Sequence, residues 1–113
     1  MRFSVSVRQA GPVTVVDIIG TVTFQEATAL HETFLDLLSK GRKKFLLNLS
    51  NVTQLDSSGI GALARAFATV RGKGGDLKMM QLSKQVQRLL EITNLCTIFE
   101  DYSDEQSALS SFK

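Results

Sequence analysis

Residues 45–63 read Phe45-Leu46-Leu47-Asn48-Leu49-Ser50-Asn51-Val52-Thr53-Gln54-Leu55-Asp56-Ser57-Ser58-Gly59-Ile60-Gly61-Ala62-Leu63 and carry the strongest pattern in the chain. The apolar residues at 45–49 are almost continuous, which is typical of a strand with both faces of its sheet covered. A polar turn over 50–55 follows and leads into a helix. The apolar face of that helix carries Ile60, Leu63, Ala64, Phe67 and Val70. A buried strand that leads into an amphipathic helix predicts an α/β domain.

Two strands and a helix are predicted before this stretch. Apolar and polar side chains alternate over 3–7, which indicates a half-buried strand. Turn residues at 10–12 join it in a hairpin to a second strand over 13–19. Thr23 and Glu26 have the spacing of a capping box, so a helix is expected to begin at Thr23. Its inner face carries Ala27, Leu30, Phe34, Leu37 and Leu38.

Two strands and two helices are predicted after the central stretch. A glycine-rich loop over 71–76 leads to a short strand over 77–82, and Ser83 is placed to cap a third helix. A last edge strand is predicted over 97–100, and a capping box over 103–106 opens a terminal helix. The order ββαβαβαβα predicts a mixed, mostly parallel sheet of four to five strands with about four helices.

The composition fits one domain comprising residues 1–113. Apolar residues make up 43% of the chain and charged residues 21%, which argues against disorder. The net charge of +2 is too small for the dense basic face of a nucleic-acid-binding protein. Cys96 is the one cysteine, and its apolar neighbours predict a buried thiol. Because no segment has the apolar core of a signal peptide or membrane span, we expect a cytoplasmic protein.

Two strand-to-helix junctions are candidate binding sites, because α/β sheets bind their partners at the carboxyl ends of strands. One junction lies at 20–24, between the second strand and the first helix. The other lies at 51–61, between the central strand and the second helix. If the two strands are neighbours in the sheet, these junctions lie side by side.

Three interpretations of Asp56-Ser57-Ser58-Gly59 are open from the residues alone. In the first interpretation, capping the helix is the only role of the segment, because aspartate and serine are good helix caps. Alternatively, a phosphate on a serine here would meet backbone N–H groups and the positive end of the helix dipole. A nucleophilic serine is the weakest interpretation, because His31 is the only histidine and no Gly-x-Ser-x-Gly motif is present. One histidine and one cysteine, far apart in sequence, also give no recognisable metal cluster.

These residues make the chain resemble the STAS domain of bacterial anti-sigma factor antagonists. The resemblance covers nearly the whole chain and rests mainly on segments 45–52 and 55–63. Further matches are Gly20, Gly74-Gly75, Leu89-Leu90, Leu95 and Ile98-Phe99. The resemblance favours the phosphoacceptor interpretation over capping alone.

The resemblance implies that Ser57, the first serine after the aspartate, is phosphorylated by an anti-sigma factor that is also a serine kinase. A serine phosphatase would remove the phosphate, and the unphosphorylated form would bind the anti-sigma factor. Asp56 would orient Ser57, Ser58 would cap the helix, and Gly59 would complete the support of the phosphosite. The expected partner-binding surface comprises Thr21, Val22, Thr23, Phe24, Leu55 and Ile60.

The resemblance further implies a regulator of transcription that is not an enzyme and needs no cofactor. It would work as a monomer or weak dimer, without direct contact with nucleic acid and without membrane insertion. Many relatives carry an acidic residue where this chain has Thr23, and often another at Thr21, so this loop is less acidic. An alternative use is as a constitutive STAS subunit of a larger complex, such as a lipid-transport ATPase or a stress-sensing assembly.

Overall fold

The computed structural model describes residues 3–95, 97 and 99–112, with the side chain of Phe24 left out. Cys96 and Ile98, for which burial and an edge strand were predicted, lie outside the described residues. Within the described part, five strands and four helices follow the predicted order. The strands are β1 (Ser4–Ala10), β2 (Val13–Val22), β3 (Lys44–Leu55), β4 (Asp76–Met80) and β5 (Asp101–Tyr102). The helices are α1 (Phe24–Ser39), α2 (Ser57–Gly72), α3 (Lys84–Ile92) and α4 (Glu105–Ser111).

The five strands form one mixed sheet in which the spatial order equals the chain order, β1-β2-β3-β4-β5. The β1–β2 hairpin is antiparallel, and every later pair is parallel. The helices α1, α2 and α3 each connect two parallel neighbouring strands, and each connection moves one strand further across the sheet in the same direction. Because such connections are right-handed, the three helices lie on the same face of the sheet. The described part of the chain contains no helix with the length and apolar character needed to cross a bilayer.

Two apolar cores lie on opposite faces of the sheet. The larger core packs α1, α2 and α3 against it, with the rings of Phe34 and Phe45 meeting edge to face at 5.3 Å. The smaller core packs Ala108 of α4 against Leu46 and its sheet neighbours. Leu46 and Leu47 are both fully buried, on opposite faces, which confirms that β3 is covered on both sides as its apolar run predicted.

The central strands are longer than predicted. β2 continues through Gly20 to Val22, and β3 continues through the residues that were expected to turn, as far as Leu55. The two extensions pair with each other, Gly20 with Val52 and Val22 with Leu55. The polar residues within 50–54 are of types that are typical of a turn, but the burial of Val52 and Leu55 keeps this segment in the sheet.

The elements near the C-terminus are shifted from their predicted positions. The edge strand is Asp101–Tyr102 and not the predicted 97–100, because the residues that pair with Met79 and Met80 of β4 are Asp101 and Tyr102. Helix α4 is capped by Asp104 and not by Ser103, since the Asp104 carboxylate accepts a 2.8 Å hydrogen bond from the Ser107 N–H. Ser83 caps α3 as predicted, accepting a hydrogen bond from the Val86 N–H.

Arg8 ties α4 to the sheet. Its guanidinium donates to Asp17 at 2.8 Å and to Glu105 at 2.9 Å. Partial burial alone would raise the pKa of Asp17, but hydrogen bonds from Arg8 and Asn48 hold that pKa below its usual value. The hydrogen bond from Arg8 likewise lowers the pKa of Glu105. This ion-pair network should therefore contribute stability only where both carboxyl groups are ionised.

Replacing Arg8 tests this contribution. We expect Arg8→Gln to lower the free energy of unfolding by about 1 kcal/mol at about pH 7, because the network is largely solvent-exposed. Both carboxyl pKa values are lowered in the folded state, so this contribution is present above their unfolded pKa values, near 4. It should be lost as the pH falls toward about 3. Urea unfolding of wild type and variant at both pH values measures the difference.

The matched control is Lys40→Gln, which breaks an exposed ion pair between Lys40, the residue after α1, and Asp36 in its last turn. This substitution should change the free energy of unfolding by less than about 0.5 kcal/mol. A loss in Arg8→Gln that stays the same size at both pH values would contradict the electrostatic account.

Candidate functional site

The two junctions identified in the sequence lie side by side. β2 and β3 are parallel neighbours, and their last paired residues are Thr21 with Gln54 and Val22 with Leu55. Because α1 follows β2 and α2 follows β3, both helices begin at this edge of the sheet. The structure thus brings the 20–24 and 51–61 segments together, and places Gln54 in β3 and not in the turn that the sequence predicted.

The start of α2 is held by Asp56. Asp56 is extended in backbone conformation, and its carboxylate accepts a 3.0 Å hydrogen bond from the Gly59 N–H. Ser58 is therefore not the cap, contrary to the expectation, because it already lies inside the first helical turn. All three residue types cap helices well, and the backbone conformation decides which of them does so.

The first turn of α2 keeps two N–H groups free of helical hydrogen bonds. The Gly59 N–H is taken by the Asp56 side chain, and the Ile60 N–H donates to the Asp56 carbonyl at 2.9 Å. The N–H groups of Ser57 and Ser58 precede these and have no partner within the helix. Ser57 is exposed and Ser58 is half-buried. An anion on the Ser57 side chain would therefore lie beside free donors at the positive end of the helix.

Gly59 brings the first turn of α2 into close contact with the sheet. A Cβ atom at this position would lie 2.4 Å from the Leu55 Cδ1 atom and 2.5 Å from the Val22 carbonyl oxygen. Any side chain would thus push the helix away from the ends of both β2 and β3. The same helix also contains Gly61, which is exposed and has open space where a Cβ would be.

The α1 junction is held by the capping box that the sequence predicted. The Glu26 carboxylate accepts hydrogen bonds from the Thr23 N–H, at 2.9 Å, and from the Thr23 hydroxyl. The hydrogen bond from the hydroxyl, followed by that from the backbone, lowers the pKa of Glu26. Glu26 is therefore ionised near neutral pH and places one negative charge beside the junction.

The predicted partner-binding residues differ in their exposure. Thr21 and Thr23 are half-buried at the edge of the sheet, and the Phe24 side chain lies outside the described residues. Val22, Leu55 and Ile60 are at most 6% exposed and belong to the larger core. These three apolar residues support the surface from beneath and are not themselves exposed to a partner.

The start of α2 has the features of an anion acceptor, since the exposed Ser57 lies beside two N–H groups at the positive end of the helix dipole. His31 lies on α1 and is half-buried, with no hydrogen-bond partner for its Nδ1 atom in the described part of the chain. The described residues contain no group of three or more His, Cys, Asp or Glu side chains that could hold a metal ion.

Comparison with known proteins shows the family to which the chain is similar. The STAS domain family model matches residues 4–108. An anti-sigma-B factor antagonist of Bacillus subtilis is 32% identical over 100 residues, which cover 88% of this chain and 91% of the relative.

Solved structures share the fold at lower identity. An anti-sigma factor antagonist from Mycobacterium paratuberculosis superposes with a TM-score of 0.86 at 23% identity, covering 97% of this chain and 93% of that one. The Bacillus protein SpoIIAA in its phosphorylated form superposes with a TM-score of 0.75 at 14% identity, covering 95% and 97% of the two chains.

Alanine substitutions at the two glycines of α2 test the close contact. Gly59→Ala should lower the free energy of unfolding by about 1–3 kcal/mol, because the added methyl group overlaps Leu55 and Val22. Gly61→Ala is the matched control and should be neutral, or stabilise by up to about 1 kcal/mol, because alanine favours the helix. Chemical unfolding of both variants provides the measurement. Equal effects of the two substitutions would show that Gly59 is not needed for the contact.

Proposed function

The chain belongs to the STAS domain family, and from that membership we propose that it acts as an anti-sigma factor antagonist that works by binding and not by catalysis. In its unphosphorylated form it binds an anti-sigma factor that is also a serine kinase. Phosphorylation of Ser57 releases that partner, and a serine phosphatase restores binding. The observation that carries the proposal is the exposed Ser57 at the start of α2, beside two free backbone N–H groups.

The surroundings of Ser57 support reversible modification without unfolding. The Ser57 side chain is exposed. The start of α2 is fixed instead by the hydrogen bond from the Gly59 N–H to the Asp56 carboxylate and by the close contact of Gly59 with the sheet. A phosphate on Ser57 would leave both contacts in place. The fold can then serve as a fixed support while the charge on its surface changes.

The charge change is large for so small a surface. A phosphoserine adds about 1.5 to 2 negative charges near neutral pH. Asp56 precedes it directly, and Glu26 lies at the neighbouring junction. Three anionic groups would then stand at one edge of the sheet, and an acidic or apolar partner surface would be repelled.

The relatives support the same role. The Bacillus subtilis relative is described as an anti-sigma-B factor antagonist, and SpoIIAA, which shares the fold, is described in a phosphorylated form. We extend the proposal to one STAS domain over residues 1–113 that acts in the cytoplasm as a monomer or weak dimer. The modest net charge of +2 favours contact with proteins over contact with nucleic acid.

Transfer of radiolabelled phosphate tests the site assignment. Incubation with the cognate anti-sigma kinase and ATP should label the wild-type protein, and Ser57→Ala should abolish the label because it removes the acceptor hydroxyl. Ser58→Ala is the matched control, since it removes a hydroxyl one residue away, and it should retain the label. A label that persists in Ser57→Ala would refute the assignment to Ser57. If the wild type binds its partner but is never labelled, a constitutive subunit of a larger complex becomes the better account.

A further inference from the structure

A cavity of about 250 Å³ lies between α3 and the residues leading into β5. The buried side chains of Leu90 and Phe99 and the half-buried Leu82 form the apolar part of its lining. Gln87, Glu91 and Asp101 form the polar part of its lining. We call this space the α3–β5 cavity.

The α3–β5 cavity is separate from the Ser57 site. It is lined by α3, by Leu82 beyond the end of β4, and by Phe99 and Asp101 before and at the start of β5, whereas Ser57 follows β3. A wider hollow of about 570 Å³ lies at the carboxyl ends of β4 and β5, and it shares Leu82, Gln87 and Asp101 with the cavity. The carboxyl ends of parallel strands are where α/β sheets commonly bind ligands.

The backbone at the mouth of the cavity is held in an uncommon conformation. Gln81, which borders the wider hollow, has a φ of 57°, in the left-handed region that residues other than glycine rarely adopt. A 2.8 Å hydrogen bond from the Gln81 N–H to the Tyr102 carbonyl fixes it there. β4 ends at Met80, immediately before this residue.

The charged groups of the cavity are both carboxylates. Neither Glu91 nor Asp101 forms an ion pair with any residue in the described part of the chain, and no lysine or arginine is among the described lining residues. The ammonium group of Lys78 lies on the opposite face of the sheet, where it donates to Ser111 of α4 and pairs with Glu100 at 3.2 Å. Partial burial raises the pKa of Asp101, against a weaker opposing effect of its 3.4 Å hydrogen bond from Gln87.

We propose that the α3–β5 cavity binds a small organic cation, namely an amine or guanidinium group on a short apolar body. The cation lies against the carboxylates of Asp101 and Glu91, and the apolar body lies on Leu82, Leu90 and Phe99. Charge complementarity selects the cation, because both ionised lining groups are negative. The volume of about 250 Å³ lies just below the roughly 300–1,000 Å³ typical of pockets for drug-sized ligands, so the cavity suits a smaller molecule.

Amide NMR with phenethylamine hydrochloride as the probe tests the proposal. The amine should shift the backbone signals of Leu82, Gln87 and Asp101 in a saturable way. Phenylacetate has the same ring and chain length but carries a negative charge, and it should leave these signals unchanged. Equal shifts from the two compounds, or no saturable shift from the amine, would overturn the proposal.

Variants that each remove one negative charge test which carboxylates bind the amine. Asp101→Asn keeps the shape of the side chain, and it should weaken binding of phenethylamine at least about tenfold, because a charge-assisted contact is lost. Glu32→Gln removes an exposed charge from α1 and should leave the affinity unchanged. If Asp101→Asn unfolds, Glu91→Gln at an exposed position of α3 replaces it and should also weaken binding. Wild-type affinity in a folded variant of either carboxylate would contradict the assignment.

Discussion

The first turn of α2 lies so close to the ends of β2 and β3 that only glycine fits at position 59, and the rest of the site depends on this contact. The Gly59 backbone sits over the Val22 carbonyl and the Leu55 side chain, in the space that a Cβ atom would need. The contact joins the two strand-to-helix junctions, which pair in register through Val22 and Leu55. With the inner side of the turn fixed in this way, Ser57 is left on the outer side, exposed to solvent.

The structure separates the groups that hold this turn from the group that can change. Asp56 caps the helix, and Gly59, Val22 and Leu55 supply the packing, so none of these is free to vary. Ser57 contributes to neither task. Under the proposed function, this separation allows a phosphate to alter the surface charge while the core that supports the surface stays intact.

The order and type of the elements were predictable because each carries its own local signal. The apolar run at 45–49, the capping box at Thr23 and the cap at Ser83 all appear in the structure. The extended ends of β2 and β3 were not predictable, because Ser, Asn, Thr and Gln over 50–54 favour a turn locally and only pairing with β2 overrides that preference.

The site was predictable in position but not in the roles of its residues. Asp56 and Ser58 are equally good caps by type, and the extended backbone at Asp56 decides between them. Leu55 and Ile60 lie close to Ser57 in sequence, but the sheet and helix direct both side chains into the core. The α3–β5 cavity left no sequence signal, because its lining residues come from separate segments that only the fold brings together.

The central claim is that a phosphate on Ser57 changes the surface of the domain and not its fold. Its most direct test compares unphosphorylated and phosphorylated protein by calorimetric titration with the anti-sigma factor and by amide NMR. The account predicts at least about tenfold weaker binding after phosphorylation, or about 1.4 kcal/mol, with amide shifts confined to the first turn of α2 and the adjoining ends of β2 and β3. Equal affinities of the two forms, or shifts spread through the sheet and its cores, would contradict it.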